Sequence, residues 1–410
     1  MFRNSTVFVL GAGASWHYGY PTGEDLVENV ISTAERFSSY CKRRLRSRQL
    51  VQLIPNYVAQ KIDGSRGIEG AQAGWVAVQD ECELLIDRLK SVRPLVIDYF
   101  LAWNESLRPI GKLMISAAIL ECEAAWLNER ANQNRRLMLA NAPMRPSVED
   151  VRRLDIRRYR DDWYRFIVHK LVYGCQKSTD LLSNEVRFIT FNYDTSLEYH
   201  LFKALAAMDI LKAVDVEKFL SENRIVHVYG SVHSAIPSEK DAIDLSVART
   251  LGNEFATPLN FAKEFETRKI LLDRCLVAAD NLHTIDPYDK EQDEASLCRA
   301  QQWIESSNVV YILGYGFDEN NSRRIGINPL LRVTVGSKKS VMFTNYGNVN
   351  TVNKNASKLF YGGYDRFLDK LAYGNPKMGD YVEKSVRTVY EALEVDFGAL
   401  EGELIEGSRV

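Results

Sequence analysis

The sequence has few cysteines and no pattern among them. Six cysteines are scattered over 410 residues, and no two of them form a C-x-x-C pair. Structural zinc sites and disulfide-rich scaffolds both need closely or regularly spaced cysteines. We therefore expect free thiols in a reducing cytoplasm, no zinc site and no other metal site.

An excess of one charge and a long apolar run are also lacking. The 54 acidic and 52 basic side chains leave a net charge of -2, which argues against a protein that binds nucleic acid through its overall charge. The most apolar long segment, 113–127, contains Glu121 and Glu123 and is shorter than the roughly 18 residues that a membrane span needs. The first residues lack the pattern of a secretory signal. We expect a cytoplasmic protein without a membrane segment.

Five short apolar runs, rich in β-branched and aromatic residues, predict β-strands. They lie at residues 6–10, 186–190, 224–229, 309–313 and 340–344. Nearly continuous apolarity is typical of strands that are buried on both faces of a parallel sheet covered by helices. Three of the runs are followed by a glycine-containing turn and helix-like sequence. The predicted fold class is therefore α/β, a Rossmann-like doubly wound parallel sheet.

Length and periodicity divide the chain into three parts. At about 150 residues per domain, the chain is long enough for two or three units. Thr22 and Asp25 have the spacing of a helix capping box, and helical periodicity dominates the region that follows. The prediction is a discontinuous Rossmann-like domain, a large helical insertion, and a C-terminal helix and tail, at residues 1–40 with 180–375, at 41–179 and at 376–410.

The first two predicted strands each end in a turn that is suited to ligand binding. Gly11, Ala12, Gly13 and Ser15 follow the first strand, where glycine lets the backbone approach a phosphate and the serine adds a hydroxyl. A tight turn without a ligand explains the same glycines. Asn192 and Asp194 follow the second strand, where the alternative is an Asx turn that caps the next helix.

Polar turns follow the other predicted strands as well. On the third strand, alternation places His227 and Tyr229 on one face, although a strand histidine is more often a core residue. The carboxyl ends of parallel strands meet at one edge of the sheet, so we expect all these turns to converge there. The remaining candidate residues are Gly230, Ser231, Gly314, Tyr315, Gly316, Thr344 and Asn345.

As an ordered set, these motifs resemble the sirtuin, or SIR2-like, superfamily, and specifically its bacterial NAD-consuming branch from antiphage defence. The segment from Gly11 to Ser15 matches the family's G-A-G-x-S loop, and Asn192 to Asp194 matches its N-x-D. Tyr229 and Gly230 stand where most members have His-Gly. The later turns resemble those that hold the ribose and adenosine of NAD. The resemblance covers about the first 35 residues and the stretch 180–375.

The resemblance implies an NAD glycohydrolase, which cleaves NAD to nicotinamide and an ADP-ribose product, linear or cyclic. Asn192 would orient the water or the ribose, and Asp194 would hold the nicotinamide carboxamide. His227 would act as the base, with Tyr229 or His233 as alternatives. Protein-deacylating members carry a zinc module of four cysteines, which this sequence lacks. Deacylation is therefore disfavoured.

Two other classes of function stay open, together with the partners. One is a non-catalytic subunit that binds NAD or ADP-ribose, because the family histidine is replaced by Tyr229. The other is a DNA-associated scaffold, suggested by the basic stretches at 42–48 and 152–160, although charge runs are usually solvated helix faces. The resemblance also implies a homo-oligomer, with a separate HerA-like ATPase as partner.

Overall fold

A computed structural model of the chain describes residues 1–47, 50–62, 64, 67–138, 162–221, 224–233, 261–283, 294–327, 339–361 and 382–396. Within these residues, no helix is both long and apolar enough to cross a membrane.

Six parallel strands form one sheet. They are β1 (Thr6–Leu10), β2 (Val186–Thr190), β3 (Ile225–His227), β4 (Val309–Leu313), β5 (Ser340–Thr344) and β6 (Val382–Ser385). Their order across the sheet is β3-β2-β1-β4-β5-β6, and each neighbouring pair is parallel. The predicted α/β class with a doubly wound parallel sheet is confirmed, because the strand order runs in one direction from β1 and in the other from β4.

The apolar runs predicted β1, β2, β4 and β5 correctly, whereas β3 is shorter than predicted. A turn begins at His227, whose carbonyl accepts a hydrogen bond from the N–H of Gly230 at 3.4 Å. Gly230 has a positive φ of 70°, which ends the extended conformation. Tyr229 therefore lies beyond the strand, and the inference that it shares a strand face with His227 is wrong.

The sixth strand corrects the prediction of a C-terminal helix and tail at 376–410. Residues Val382–Ser385 pair with β5, so the sheet extends beyond residue 375. The segment contains Glu383 and Lys384 and lacks the apolar run of a central strand, which is why its sequence gave no strand signal. A short helix and a π-helical turn follow it, at Val389–Glu391 and Ala392–Asp396. Residues 397–410 lie outside the described part of the chain.

Helices cover the sheet and form the insertion between β1 and β2. The insertion is helical as predicted over its described residues, although α2 runs unbroken through the predicted boundary at residues 40 and 41. In chain order the helices are α1 (Ala12–Ser15), α2 (Gly23–Leu45), α3 (Asn56–Ala59), α4 (Gly67–Val92), α5 (Ile97–Trp103), α6 (Arg108–Met138), α7 (Tyr164–Val172), α8 (Ser196–Ala206), α9 (Ala213–Ser221), α10 (Phe261–Asn281), α11 (Glu294–Ser306), α12 (Glu319–Arg324), α13 (Asn350–Tyr361) and α14 (Val389–Glu391), with 3-10 turns at Trp16–Tyr18, Glu105–Leu107, Ser178–Ser183 and Tyr346–Asn348.

The first long helix begins as its sequence predicts. The backbone N–H of Thr22 donates to the carboxylate of Asp25 at 3.3 Å, which satisfies one of the donors exposed at the helix N-terminus. One face of α2 is apolar and faces the core, and α4 and α6 pack along the helix. Its burial against these helices stabilises the insertion. The buried apolar residues of α2 are Leu26, Val27, Val30, Ala34, Phe37, Tyr40 and Cys41.

The middle of the sheet is packed with aromatic rings in register. Phe8 of β1 pairs with Phe188 of β2 and with Tyr311 of β4, and its ring centroid lies 5.3 Å and 4.8 Å from theirs. All five residues of β1 are buried. This packing on both sides places β1 at the centre of the core. It also holds β2 and β4 in register with β1, so that the three strands end side by side.

The turns after β1 and β4 are in direct backbone contact. The N–H of Gly13 donates to the carbonyl of Gly314 at 3.0 Å. A Cβ on Gly11 would lie 2.5 Å from that carbonyl oxygen, and a Cβ on Gly314, where φ is +58°, would lie 2.2 Å from the Ala14 nitrogen. The three glycines are therefore required by packing, which is the tight-turn explanation that the sequence left open.

We expect Gly11→Ala to lower the free energy of unfolding by about 1–3 kcal/mol or more, because the added methyl group meets backbone that cannot move aside. Gly316→Ala is the matched control in the same turn region, since a Cβ there has no described atom within 4 Å. Its effect should stay within about 0.5 kcal/mol. Denaturant unfolding measures both. Equal losses for the two variants would contradict the backbone contact.

Candidate functional site

The candidate site lies at the carboxyl edge of the sheet, which we call the rim, where β1 and β4 are neighbours. The strand order reverses between these two strands, and in open α/β sheets the crevice at such a point is where ligands bind. The turns after β1, β4 and β5 meet there as predicted. The N–H of Gly314 donates to the Thr344 hydroxyl at 2.9 Å, which joins the β5 turn to the contact between Gly13 and Gly314.

The first two motifs are brought together at the rim. Asn192 donates from Nδ2 to the hydroxyl of Ser15 at 3.2 Å. Ser15 is buried, and its position is supported by Trp163, whose ring nitrogen donates to the Ala14 carbonyl at 2.8 Å. The glycine turn and the N-x-D turn thus form one polar cluster, as the positions of their strands predict.

Asp194 forms the Asx turn that was the structural alternative for this motif. Its Oδ1 accepts from the backbone N–H of Ser196 at 3.1 Å and from the Ser196 hydroxyl, at the start of α8. Burial raises the pKa of Asp194, while hydrogen bonds from Ser196 and Ser15 act in the opposite direction. Tyr164 extends the network, with its hydroxyl 2.8 Å from that of Ser196. Asp194 therefore links the rim to α7 and α8.

Both ring nitrogens of His227 have an oxygen partner. Its Nδ1 lies 2.9 Å from the Asn192 carbonyl oxygen, and its Nε2 lies 2.5 Å from Oε1 of Glu198. An ionised Glu198 and the Asn192 carbonyl are both acceptors, so the contacts favour an imidazole that donates from both nitrogens. Burial lowers the pKa of His227, but the Glu198 carboxylate and the Asn192 carbonyl outweigh this, and the net shift is upward. His227 thus contacts the backbone of Asn192, and its role as the base stays a prediction.

The turn after β3 is held by contacts of its own. The Tyr229 hydroxyl donates to Oδ1 of Asn321, and burial raises its pKa. A Cβ on Gly230 would lie 1.9 Å from the Asn281 carbonyl oxygen, so this glycine is required where α10 ends. Ser231 donates to the His233 carbonyl at 2.6 Å. The described contacts of these residues are therefore structural.

The turn after β4 contacts the crevice, whereas Asn345 after β5 bonds within its own loop. Tyr315 reaches across the rim and stacks on Phe191, with ring centroids 4.9 Å apart. Gly316 has open space beside it. Asn345, by contrast, accepts from the N–H of Val349 at 3.0 Å and donates to Asn353 at 2.8 Å. Asn345 is thus tied into its own loop, and its described partners are not the other predicted site residues.

Helix α5 of the insertion reaches the rim, which the sequence did not reveal. The Tyr193 hydroxyl donates to Asp98, and the Tyr99 hydroxyl donates to Oδ1 of Asp318 at 2.9 Å. The helix therefore contacts the ends of both β2 and β4. Burial raises the pKa of Asp98 to about 6, against the opposing hydrogen bond from Tyr193.

Three buried polar atoms near the N-x-D turn have no hydrogen-bond partner among the described residues. They are Oδ1 of Asn192, Oγ1 of Thr195 and Oε2 of Glu198. Leaving such an atom unsatisfied costs about 1–3 kcal/mol, and most buried polar groups in proteins are paired. Their concentration within residues 192–198 indicates a binding site for a ligand with hydrogen-bond donors. Glu198 was missed by the sequence because it lies within a helix and outside any motif.

A cavity formed by the described helices does not coincide with the rim. It has a volume of about 470 Å³ and lies between α7, α8 and the chain after β6. His200 and Tyr164 line it, but none of the predicted site residues does. Within the described residues, no group of three histidine, cysteine or acidic side chains is arranged to hold a metal ion.

Comparisons with protein-family models, with curated proteins and with solved structures find no match to this chain. The functional assignment therefore depends on the sheet and on the geometry of the rim.

We expect Asp98→Asn to stabilise the protein at about pH 8 by up to about 3 kcal/mol, the equivalent of raising the carboxyl pKa from 3.8 to about 6. At low pH the carboxyl is protonated in both the folded and the unfolded state, so the two proteins should then differ little. The protein with Asp98 loses stability as the pH rises through about 6, because the buried carboxyl becomes charged in the folded state. Asparagine stays neutral and keeps an acceptor for Tyr193. Unfolding curves at several pH values measure this. A gain that is independent of pH would contradict the burial of Asp98.

Proposed function

We propose that the chain binds NAD at the rim and hydrolyses it to nicotinamide and ADP-ribose. The observation that carries the proposal is the cluster of unpaired buried acceptors next to Ser15, at the reversal point of a β3-β2-β1-β4-β5-β6 sheet. Sheets of this order bind dinucleotides in the crevice at that point. The resemblance to SIR2-like proteins supports the choice of NAD among dinucleotides.

The donor and acceptor chemistry of the rim fits this substrate. Oδ1 of Asn192 and Oε2 of Glu198 are acceptors that need donors, and the ribose hydroxyls and the nicotinamide carboxamide of NAD supply them. Phe191 and Tyr315 offer aromatic surface beside these groups. The Gly13 N–H is already bonded to Gly314, so a phosphate would be held by other groups of the turn.

Cleavage of the bond between nicotinamide and ribose passes through a state with positive charge on the ribose. Polar groups that are fixed before the reaction stabilise such a charge more than water does. Asn192 would position the ribose or the attacking water, and the His227–Glu198 pair would hold Asn192. Water bonds to C1′ of the ribose as the bond to nicotinamide breaks, nicotinamide leaves with the electron pair, and the water releases its proton to solvent.

A non-catalytic subunit that binds NAD or ADP-ribose is the second candidate. The contacts of His227 with Glu198 and with the Asn192 carbonyl, and the bond from Tyr229 to Asn321, favour it, because these partners already occupy both side chains. The two candidates share a binding site and differ in turnover. Depletion of NAD in antiphage defence, by a homo-oligomer with a HerA-like ATPase partner, is the setting that the resemblance suggests. Protein deacylation and a DNA-associated scaffold have less support.

We expect Asn192→Ala to remove most of the NAD cleavage, because the variant loses the amide that positions the ribose or the water. The protein should stay folded, because the only described side-chain hydrogen bond lost is the weak one to Ser15. Asn308→Ala is the matched control, since Asn308 is exposed and precedes β4 at the opposite end of the sheet. Chromatography of nicotinamide and ADP-ribose, with an unfolding curve for each variant, measures the effect. Normal turnover in folded Asn192→Ala would overturn the site.

We expect EDTA to leave the cleavage of NAD unchanged, because the proposed chemistry uses side chains and water alone. The same product assay, with and without the chelator, tests this. Loss of activity that is restored by zinc alone would overturn the mechanism.

A further inference from the structure

Helix α12, which follows the turn after β4, carries a cation without an acidic partner. Arg323 and Lys358 both bond to Glu319, at 3.1 Å and 2.6 Å. Within the described part of the chain, the neighbouring Arg324 has no such ion pair and no side-chain hydrogen bond. Its half-buried guanidinium instead lies over Tyr229, 5.7 Å from the ring centroid. The N–H donors of Arg324 are therefore available to a ligand.

The contact with Tyr229 places Arg324 beside the rim. The ring centroid of Tyr229 lies 5.8 Å from that of Phe191, which is stacked on Tyr315 in the crevice. The Tyr229 hydroxyl donates to Asn321, which lies on the same helix as Arg324. A guanidinium that is held against an aromatic ring loses little freedom when it binds a ligand. Arg324 is thus oriented in advance next to the aromatic surface of the crevice.

The glycine turn has few amides left for a phosphate. The N–H of Gly11 donates to the Leu313 carbonyl at 2.9 Å. The N–H of Gly13 donates to Gly314 at 3.0 Å, and that of Ala14 donates back to Gly11 at 2.9 Å. Phosphate-binding loops present such donors to the ligand instead. The groups that remain in this turn are uncharged, so a pyrophosphate at the rim needs a cation from another element.

On the basis of the proposed function, we propose that Arg324 supplies the positive charge that binds the pyrophosphate of NAD, a role that the bonded glycine amides do not fill. A guanidinium matches two phosphate oxygens with parallel N–H donors, and such charged hydrogen bonds are stronger than neutral ones. The turn between β4 and α12 leaves room for the phosphates, because there is open space beside Gly316. Arg324 would select dinucleotides over nucleosides and would leave the chemical step to the rest of the rim.

The experiment measures the Kd of ADP-ribose by calorimetry, together with kcat and KM for NAD, in the full chain and its variants. Arg324→Gln should raise the Kd and the KM by about 10- to 100-fold with little change in kcat, because the lost charged hydrogen bonds act on binding alone. The Kd should also depend less on salt in this variant. Arg323→Gln is the matched control, since Arg323 is the adjacent, exposed cation and pairs with Glu319. Its constants should match those of the unmodified chain.

Two further measurements separate phosphate binding from support of the fold. Unfolding curves establish that each variant is folded, and Arg324→Lys provides a milder change that keeps the charge and the alkyl stem. The lysine variant should lose several-fold in affinity for ADP-ribose, less than Arg324→Gln, because an ammonium lacks the paired donors. Adenosine, which has no phosphate, should compete equally well with ADP-ribose in the unmodified chain and in Arg324→Gln after correction for the Kd of ADP-ribose.

The outcomes distinguish this inference from the proposed function. An unchanged Kd for ADP-ribose in folded Arg324→Gln, equal losses for adenosine and ADP-ribose, or equal losses in the Arg323 and Arg324 variants would overturn the inference alone. Loss of inorganic pyrophosphate binding without loss of ADP-ribose binding would indicate a site for a separate anion and would also overturn it. Binding that depends on Arg324, without cleavage of NAD, would support this inference and overturn the hydrolysis. No binding of NAD or ADP-ribose by the unmodified chain would overturn both.

Discussion

The arrangement of the rim depends on the backbone contact between the turns after β1 and β4. Gly11 and Gly13 allow the carbonyl of Gly314 to approach them without side chains in between, and this brings the two turns together where the strand order reverses. The chain after the glycines then brings the Ser15 hydroxyl within hydrogen-bond distance of Asn192. A larger residue at Gly11 or Gly314 would separate the turns, so the polar cluster depends on a packing constraint that involves no ligand at all.

The polar groups of the rim are held by a network that satisfies most of them and leaves a few unpaired. Asp194 is engaged by Ser196, and His227 is engaged by Glu198 and by the Asn192 carbonyl. These bonds fix the backbone on both sides of Asn192, so the unpaired Oδ1 of its amide has little freedom to turn away. A buried acceptor that is held in place without a donor is destabilising in the free protein, and a ligand that supplies the donor recovers that free energy.

The sequence predicted the centre of the sheet and the meeting of Ser15 with Asn192, because both follow from local patterns. Strands buried on both faces are apolar throughout, and turns after neighbouring parallel strands lie close together. The sixth strand was missed because Glu383 and Lys384 interrupt the apolar pattern. The contacts of His227 were missed because Glu198 lies in the first turn of α8. Its approach depends on how α8 packs against β3, which no spacing in the sequence encodes.

The insertion contributes side chains to the site, although none of the sequence motifs lies in it. Asp98 and Tyr99 contact the ends of β2 and β4 from α5, and Glu123 contacts His233 from α6. Glu123 and His233 are 110 positions apart along the chain, so only the packed structure brings them together. Every motif that supports the resemblance lies in the sheet domain. The sheet alone supplies these motifs and the His227–Glu198 pair, whereas the insertion supplies the Glu123 carboxylate beside His233. The motifs therefore lie in the sheet and its turns, while the docking of α5 and α6 determines which other side chains surround the rim.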